Sequence, residues 1–120
     1  PCSGTGTLRR NPDLKWRMSE AGVAELAVRQ LAILGAAAKL VNPGGALVYA
    51  TCSLLDEEND GVRRAFEAAH PGWVLDPAGA VLARQGVPAE AVPADAEVLA
   101  LRPERHDTDA FYAVRWLRPA

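Results

Sequence analysis

The chain has 120 residues, 49% hydrophobic and 23% charged, with a formal net charge of −2 at pH 7. That length supports one modest core, with roughly two-thirds of the unfolded surface buried on folding. The charge excludes a protein that grips nucleic acid by bulk electrostatics, so a polyanion would have to be met locally. There is no unbroken run of about eighteen apolar residues and no basic-then-apolar leader, so no membrane partner is expected and the expected location is cytoplasmic.

In chain order, Pro1-Cys2-Ser3-Gly4-Thr5-Gly6-Thr7 reads as the loop following a strand, which leads us to expect an upstream part of the same domain. Leu8 to Arg17 is polar, turn-prone and basic, with one large aromatic, Trp16. From Ser19, a good N-cap, the positions Val23, Ala27, Leu31, Leu34, Ala38 and Val41 recur at three- and four-residue steps and predict a helix to about Val41. Asn42-Pro43-Gly44-Gly45 stops it. The short apolar run Ala46 to Ala50, bounded by glycine, predicts a central parallel strand buried on both faces, with Cys52 at its carboxyl end. A second helix is predicted with Asp56, Glu57 and Glu58 in its cap and first turn, where the helix dipole favours acids. Its inward face is Val62, Ala65, Phe66 and Ala69, and Pro71-Gly72 closes it. Trp73 to Leu75 reads as a brief strand, and residues 76–96, rich in Pro, Ala and Gly, read as a loop with little structure. Val98–Leu101 and Ala110–Leu117 form a predicted hairpin across a polar connection. The expected fold is α/β: half of an open, mostly parallel sheet with helices on both faces, ending in an antiparallel hairpin.

Cys2 and Cys52 are the only cysteines. Each lies where a strand hands over to a loop, flanked by small hydroxyl residues or glycine, and the carboxyl ends of strands are where an α/β sheet presents its chemistry. A structural disulfide, two inert buried thiols and a functional pair are all open readings, and the motif-like settings favour the last. No metal is expected: there is no Cys-x-x-Cys, and His70 and His106 are not spaced with either cysteine. Arg9, Arg10, Lys15 and Arg17, interleaved with Trp16, suit phosphate contacts plus a stacking surface for an unpaired nucleotide, against the equal alternative of a solvated basic loop. In Ser3-Gly4-Thr5-Gly6 the small residues permit close approach of a flipped base, against the alternative of an ordinary glycine turn. His106 and Asp109 fit turn chemistry better than proton transfer.

Residues 1–16, then Pro43-Gly44-Gly45-Ala46-Leu47-Val48-Tyr49-Ala50-Thr51-Cys52-Ser53 and Glu57-Glu58-Asn59, closely resemble the RNA cytosine-5 methyltransferases of the RsmB/Nop2/Sun type. The likeness continues more weakly into Leu101-Arg102-Pro103 and Asp109 to Ala113. It implies the C-terminal half of a Rossmann-like class I methyltransferase domain over residues 1–120, acting on RNA, rRNA in particular, with S-adenosylmethionine as cofactor. It implies that Cys52 adds to cytosine C6 and that Cys2 assists breakdown of the adduct, with Pro1, Ser3, Gly4, Thr5 and Gly6 forming a substrate and cofactor loop. Thiolate addition makes C5 nucleophilic enough to accept a methyl group, which splits one difficult step into easier ones. Backbone N–H groups ahead of the second helix are expected to support the Cys52 thiolate. The main cofactor-binding residues of the family, a glycine-rich loop and acids after its early strands, would lie upstream of this chain. The isolated chain is therefore expected to be inactive and to expose a sheet edge through which it could dimerise. A non-catalytic RNA-binding module is one alternative. A DNA cytosine-5 methyltransferase fragment, with Cys2 as nucleophile, is another, and the Tyr49-Ala50-Thr51-Cys52-Ser53 segment speaks against it.

Overall fold

The computed structural model describes residues 1–8, 10–13 and 19–120, so the expectations for Arg9, Lys15, Trp16 and Arg17 lie outside the described residues. Helix α1 (Glu20–Ala38) begins where expected, because the Ser19 hydroxyl accepts the Gly22 N–H at 3.0 Å and satisfies one of the free donors of the first turn. Its buried row is Val23, Gln30, Leu34 and Ala38, with Ala27 and Leu31 packed alongside. Beyond Ala38 the chain closes in tight turns rather than continuing to Val41. By length and composition alone α1 could cross a membrane, yet Leu34 and Ala38 lie in the core while Val28 and Ile33 are exposed on its outer side.

The remaining elements are β1 (Ala46–Thr51), α2 (Asp60–Ala69), β2 (Val74–Leu75), α3 (Ala78–Arg84), β3 (Leu99–Leu101), α4 (Pro103–His106) and β4 (Phe111–Leu117). The predicted hairpin forms, with Leu99 opposite Ala113 and Leu101 opposite Phe111. β4 is the middle strand. β1 runs along one edge of it, from Ala46 opposite Leu117 to Thr51 opposite Tyr112. β2 and β3 share the other edge end to end. Asp76 N–H donates to Arg115 O at 2.9 Å and carries the pairing past β2.

Every pairing among the described residues is therefore antiparallel, which corrects the expectation of a mostly parallel sheet. The physical reason is insertion: β1, β2 and β3 point the same way, but β4 returns between them, so the co-directional strands never hydrogen-bond to one another. β1 is likewise not buried on both faces. It alternates, with Tyr49 and Thr51 buried beneath the helices and Val48 57% exposed on the other side. Alternation of this kind belongs to a strand with one face on the core.

Residues 76–96 are more ordered than their composition suggests. The alanine-rich segment after Pro77 winds into α3, and Gly79 lies so close to the backbone of Pro93 and Ala94 that a Cβ there would overlap both. The main core lies between the sheet and helices α1 and α2: Leu34, Ala38, Tyr49, Val62, Phe66, Tyr112, Val114 and Trp116. Phe66 and Trp116 are wholly buried, with ring centroids 4.5 Å apart.

Candidate active site

β1 ends at Thr51, and the turn that follows is closed by its own side chains. Thr51 Oγ1 accepts Ser53 N–H at 3.2 Å and donates to Asn59 Oδ1 at 2.5 Å, while Asn59 Nδ2 donates to Ser53 O at 2.9 Å. The N-terminal loop, with Gly4 in the left-handed region at φ 72°, turns back against this segment. Gly6 N–H donates to Cys52 O at 2.8 Å, and Ala110 N–H donates to Gly6 O at 3.0 Å. Gly6 is thus a one-residue bridge between the Cys52 turn and the start of β4. A Cβ at this position would overlap the Cys52 carbonyl oxygen and come within 2.5 Å of Ala110 Cβ, so glycine is required.

This bridge brings Cys2 Sγ to 3.3 Å from Cys52 Sγ. Both are free and half-buried, and the separation is far beyond a disulfide bond of about 2.05 Å, which leaves a thiol–thiol contact. Behind the sulfurs lies Glu58, 0% exposed. Its Oε1 accepts Ser3 N–H at 2.7 Å and Gln30 Nε2 at 3.1 Å. Its Oε2 accepts the Ser3 hydroxyl at 2.5 Å and the Ser53 hydroxyl at close range. Each serine hydroxyl has one hydrogen, so with both directed at Glu58, Ser53 Oγ accepts the Thr5 hydroxyl at 3.2 Å and Ser3 Oγ accepts Thr5 N–H at 3.3 Å. Gln30 Nε2 also donates to Pro1 O at 2.7 Å, which anchors the start of the loop, and Tyr49 OH donates to Glu58 O at 2.5 Å.

The electrostatics run against a preformed thiolate. Burial pushes the Cys52 thiol above the ordinary cysteine range, the neighbouring Cys2 thiol adds to this, the Glu58 charge acts in the same direction, and the Cys52 backbone N–H opposes it. This corrects the expectation that backbone N–H groups ahead of the second helix would lower it. Leu54 N–H is taken by Thr5 Oγ1 at 2.9 Å and Leu55 N–H by Ser53 Oγ at 3.0 Å, Asp56–Glu58 form a separate 3₁₀ turn, and α2 begins only at Asp60. The balance of these influences favours the protonated thiol of Cys52. Burial, with the Glu58 charge, also raises Tyr49 well above the ordinary phenol range, so it stays a donor.

A family model described as 16S rRNA methyltransferase RsmB/F matches residues 1–117. The chain belongs to this family. It is 51% identical over 79 residues, 66% of its length, to the ribosomal RNA small subunit methyltransferase B of Sodalis glossinidius, of which it covers 18%. The crystal structure of PH0851 superposes on 97% of the chain at TM-score 0.80 and 34% identity, with 24% of that protein covered. The structure of NSun6 from Pyrococcus horikoshii with SFG superposes on 100% of the chain at TM-score 0.74 and 26% identity, with 28% covered. The chain thus spans about a fifth to a quarter of the relatives it matches. The likeness supports a Rossmann-like methyltransferase fold, of which this part pairs its strands antiparallel.

Among the other residues singled out from the sequence, Pro1, Ser3, Gly4, Thr5 and Gly6 lie in the same loop as Cys2, with Ser3, Thr5 and Gly6 buried as its framework. Arg10 is exposed and forms an ion pair with Asp109, joining the basic segment to the turn before β4. His106 Nδ1 accepts Arg102 N–H at 3.0 Å, which is turn chemistry. Glu58, Ser53 and Gln30 were not singled out from the sequence. The Gln30 signal was present: three residues after Ala27 and four before Leu34, it is the one polar side chain on the inner row of α1. A cleft beside the outer edge of β1 is lined by Pro1, Gln30, Ile33, Leu34, Leu47 and Tyr49 among others. It has no carboxylate for ribose hydroxyls and no glycine-rich turn, so these residues alone do not fit S-adenosylmethionine.

Proposed function

We infer that this chain carries the paired-thiol centre of an S-adenosylmethionine-dependent rRNA methyltransferase that modifies cytosine C5, and that residues 1–120 are the C-terminal part of its single catalytic domain. The observation that carries the reading is the 3.3 Å approach of Cys2 and Cys52 Sγ, two free thiols from loops fifty residues apart, at the end of β1. The cofactor reading is supported by the structural neighbour with SFG, an S-adenosylmethionine analogue, and the rRNA reading by the name of the Sodalis relative.

Cys52 gives up its proton and its sulfur bonds to C6 of the cytosine, so that the C5–C6 π electrons make C5 nucleophilic. After C5 has gained its methyl group and lost its proton, the C6–S bond breaks and the electron pair returns to sulfur. Cys2, in contact with that sulfur, passes its thiol proton to it as the C6–S bond breaks, and the Cys2 thiolate left behind regains a proton from solvent. The small residue Gly4 lets a base turned out of its stack approach the loop, while Gly6 holds the loop against the Cys52 turn. Arg10, with Arg9, Lys15 and Trp16, supplies phosphate and stacking contacts.

The test uses the parent protein, S-adenosylmethionine and rRNA containing 5-fluorocytidine. Wild type is expected to give a covalent protein–RNA band on a denaturing gel, and Cys52→Ala none. Cys2→Ala is expected to accumulate the band even on unmodified RNA, because release is impaired. Covalent capture by Cys52→Ala equal to wild type would overturn the assignment. Capture lost only in Cys2→Ala would favour the DNA-enzyme order of roles, and capture by neither wild type nor variant would favour a binding module.

A further inference from the structure

The same dipeptide occurs twice at this site, Cys2-Ser3 and Cys52-Ser53, and both serine hydroxyls donate to one oxygen, Glu58 Oε2. The other oxygen takes Ser3 N–H and Gln30 Nε2. A carboxylate with 0% exposure persists only when its acceptor sites are filled, and here three of its four donor groups belong to the residues that follow the two cysteines. The Gly6 to Cys52 backbone bond ties the loops together in front, and Glu58 ties them behind. The loops themselves are short and rich in glycine and hydroxyl residues, with little apolar surface to fix their spacing.

Resting on the paired-thiol reading above, we propose that Glu58 is the positioning residue of the centre: by drawing Ser3 and Ser53 to a single point it sets the distance between the Cys2 and Cys52 sulfurs. It touches neither the base nor the reacting atoms. Its action is geometric, and it passes through the two serines.

The test is capture of phenylarsine oxide by this chain, followed by intact mass and a binding titration. The reagent exchanges its oxygen for two sulfurs: two As–S bonds form, the oxygen leaves as water with the two thiol protons, and no redox change occurs. Bidentate capture depends on the sulfurs being in register, because the second bond forms at high effective concentration only then. Wild type is expected to take up one arsenical with loss of one water, and Cys52→Ala to bind far more weakly. Glu58→Ala, folded by circular dichroism and cooperative melting, is expected to lose at least about tenfold in affinity, while alkylation of Cys52 by a monofunctional reagent persists. Glu58→Gln keeps an acceptor oxygen and the side-chain shape, and is expected to fall between the two. Wild-type affinity in both folded variants would overturn the proposal. If neither folds, Ser53→Ala, which withdraws one tie and leaves Glu58 in place, decides by the same threshold. This readout involves no RNA and no methyl transfer, so failure of the methylation reading would leave the arsenical result standing, and the reverse.

Discussion

Alanine at position 6 would put a Cβ into the Cys52 carbonyl oxygen and 2.5 Å from Ala110 Cβ. Both neighbours are short and held by backbone, so neither can swing away as a long side chain would. Relief requires the loop to lift off, and lifting it breaks the Gly6 N–H bond to Cys52 O and the Ala110 N–H bond to Gly6 O. Each such bond contributes about 1 kcal/mol net, and overpacking a tight contact costs about 1–3 kcal/mol, so Gly6→Ala is expected to destabilise by about 3–5 kcal/mol. Against a total of about 5–15 kcal/mol for a domain, that is a large share. The assay is urea unfolding followed by tryptophan fluorescence, with bidentate arsenical capture as the local readout. A variant within about 0.5 kcal/mol of wild type would refute the reasoning, since strain and two lost hydrogen bonds cannot both be that small.

Three further outcomes are expected. Site-resolved alkylation of Cys52 should reach half its maximal rate above the ordinary thiol value of about pH 8.5, because burial and the Cys2 thiol favour the protonated form; a midpoint below that would contradict this balance of charge and burial. A raised value in the folded state means that this thiol contributes stability below its unfolded pKa and that the contribution is lost as pH rises through the folded one, so alkaline titration should lower the melting temperature. Phe66→Ala removes a ring with no exposed surface that packs between Trp116 and His70, and should cost about 3–5 kcal/mol in chemical denaturation, with a loss under about 1 kcal/mol counting against the core assignment.

Several features were legible in the sequence for local reasons. The Ser19 cap, the α1 stripe and the glycine stop at Gly44-Gly45 follow from hydrogen-bond accounting and side-chain period within one segment. The Val98–Leu101 hairpin with Ala110–Leu117 follows from period and proximity in sequence. Which neighbours β1 would have was not legible, because alternation identifies a strand without naming the strand beside it, and β4 comes sixty residues later to lie against it. α3 was hidden by composition, since the glycine and prolines around it reflect close approach of another segment rather than looseness. Glu58 was hidden for the same reason: an acid at the start of a predicted helix has a sufficient local explanation in the dipole, and nothing local reveals that Ser3, fifty-five residues away, donates to it.

By itself, then, the sequence determined to which family the chain belongs, since two cysteines in Cys-Ser settings and the run from Pro43 to Ser53 are properties of adjacent residues. Only the tertiary structure decided that the two thiols meet, that burial favours the protonated form of Cys52, and that one buried carboxylate is tied to the serine after each cysteine. Distance, burial and charge at a site are sums over groups that the chain brings together from remote positions, and no local pattern carries that sum.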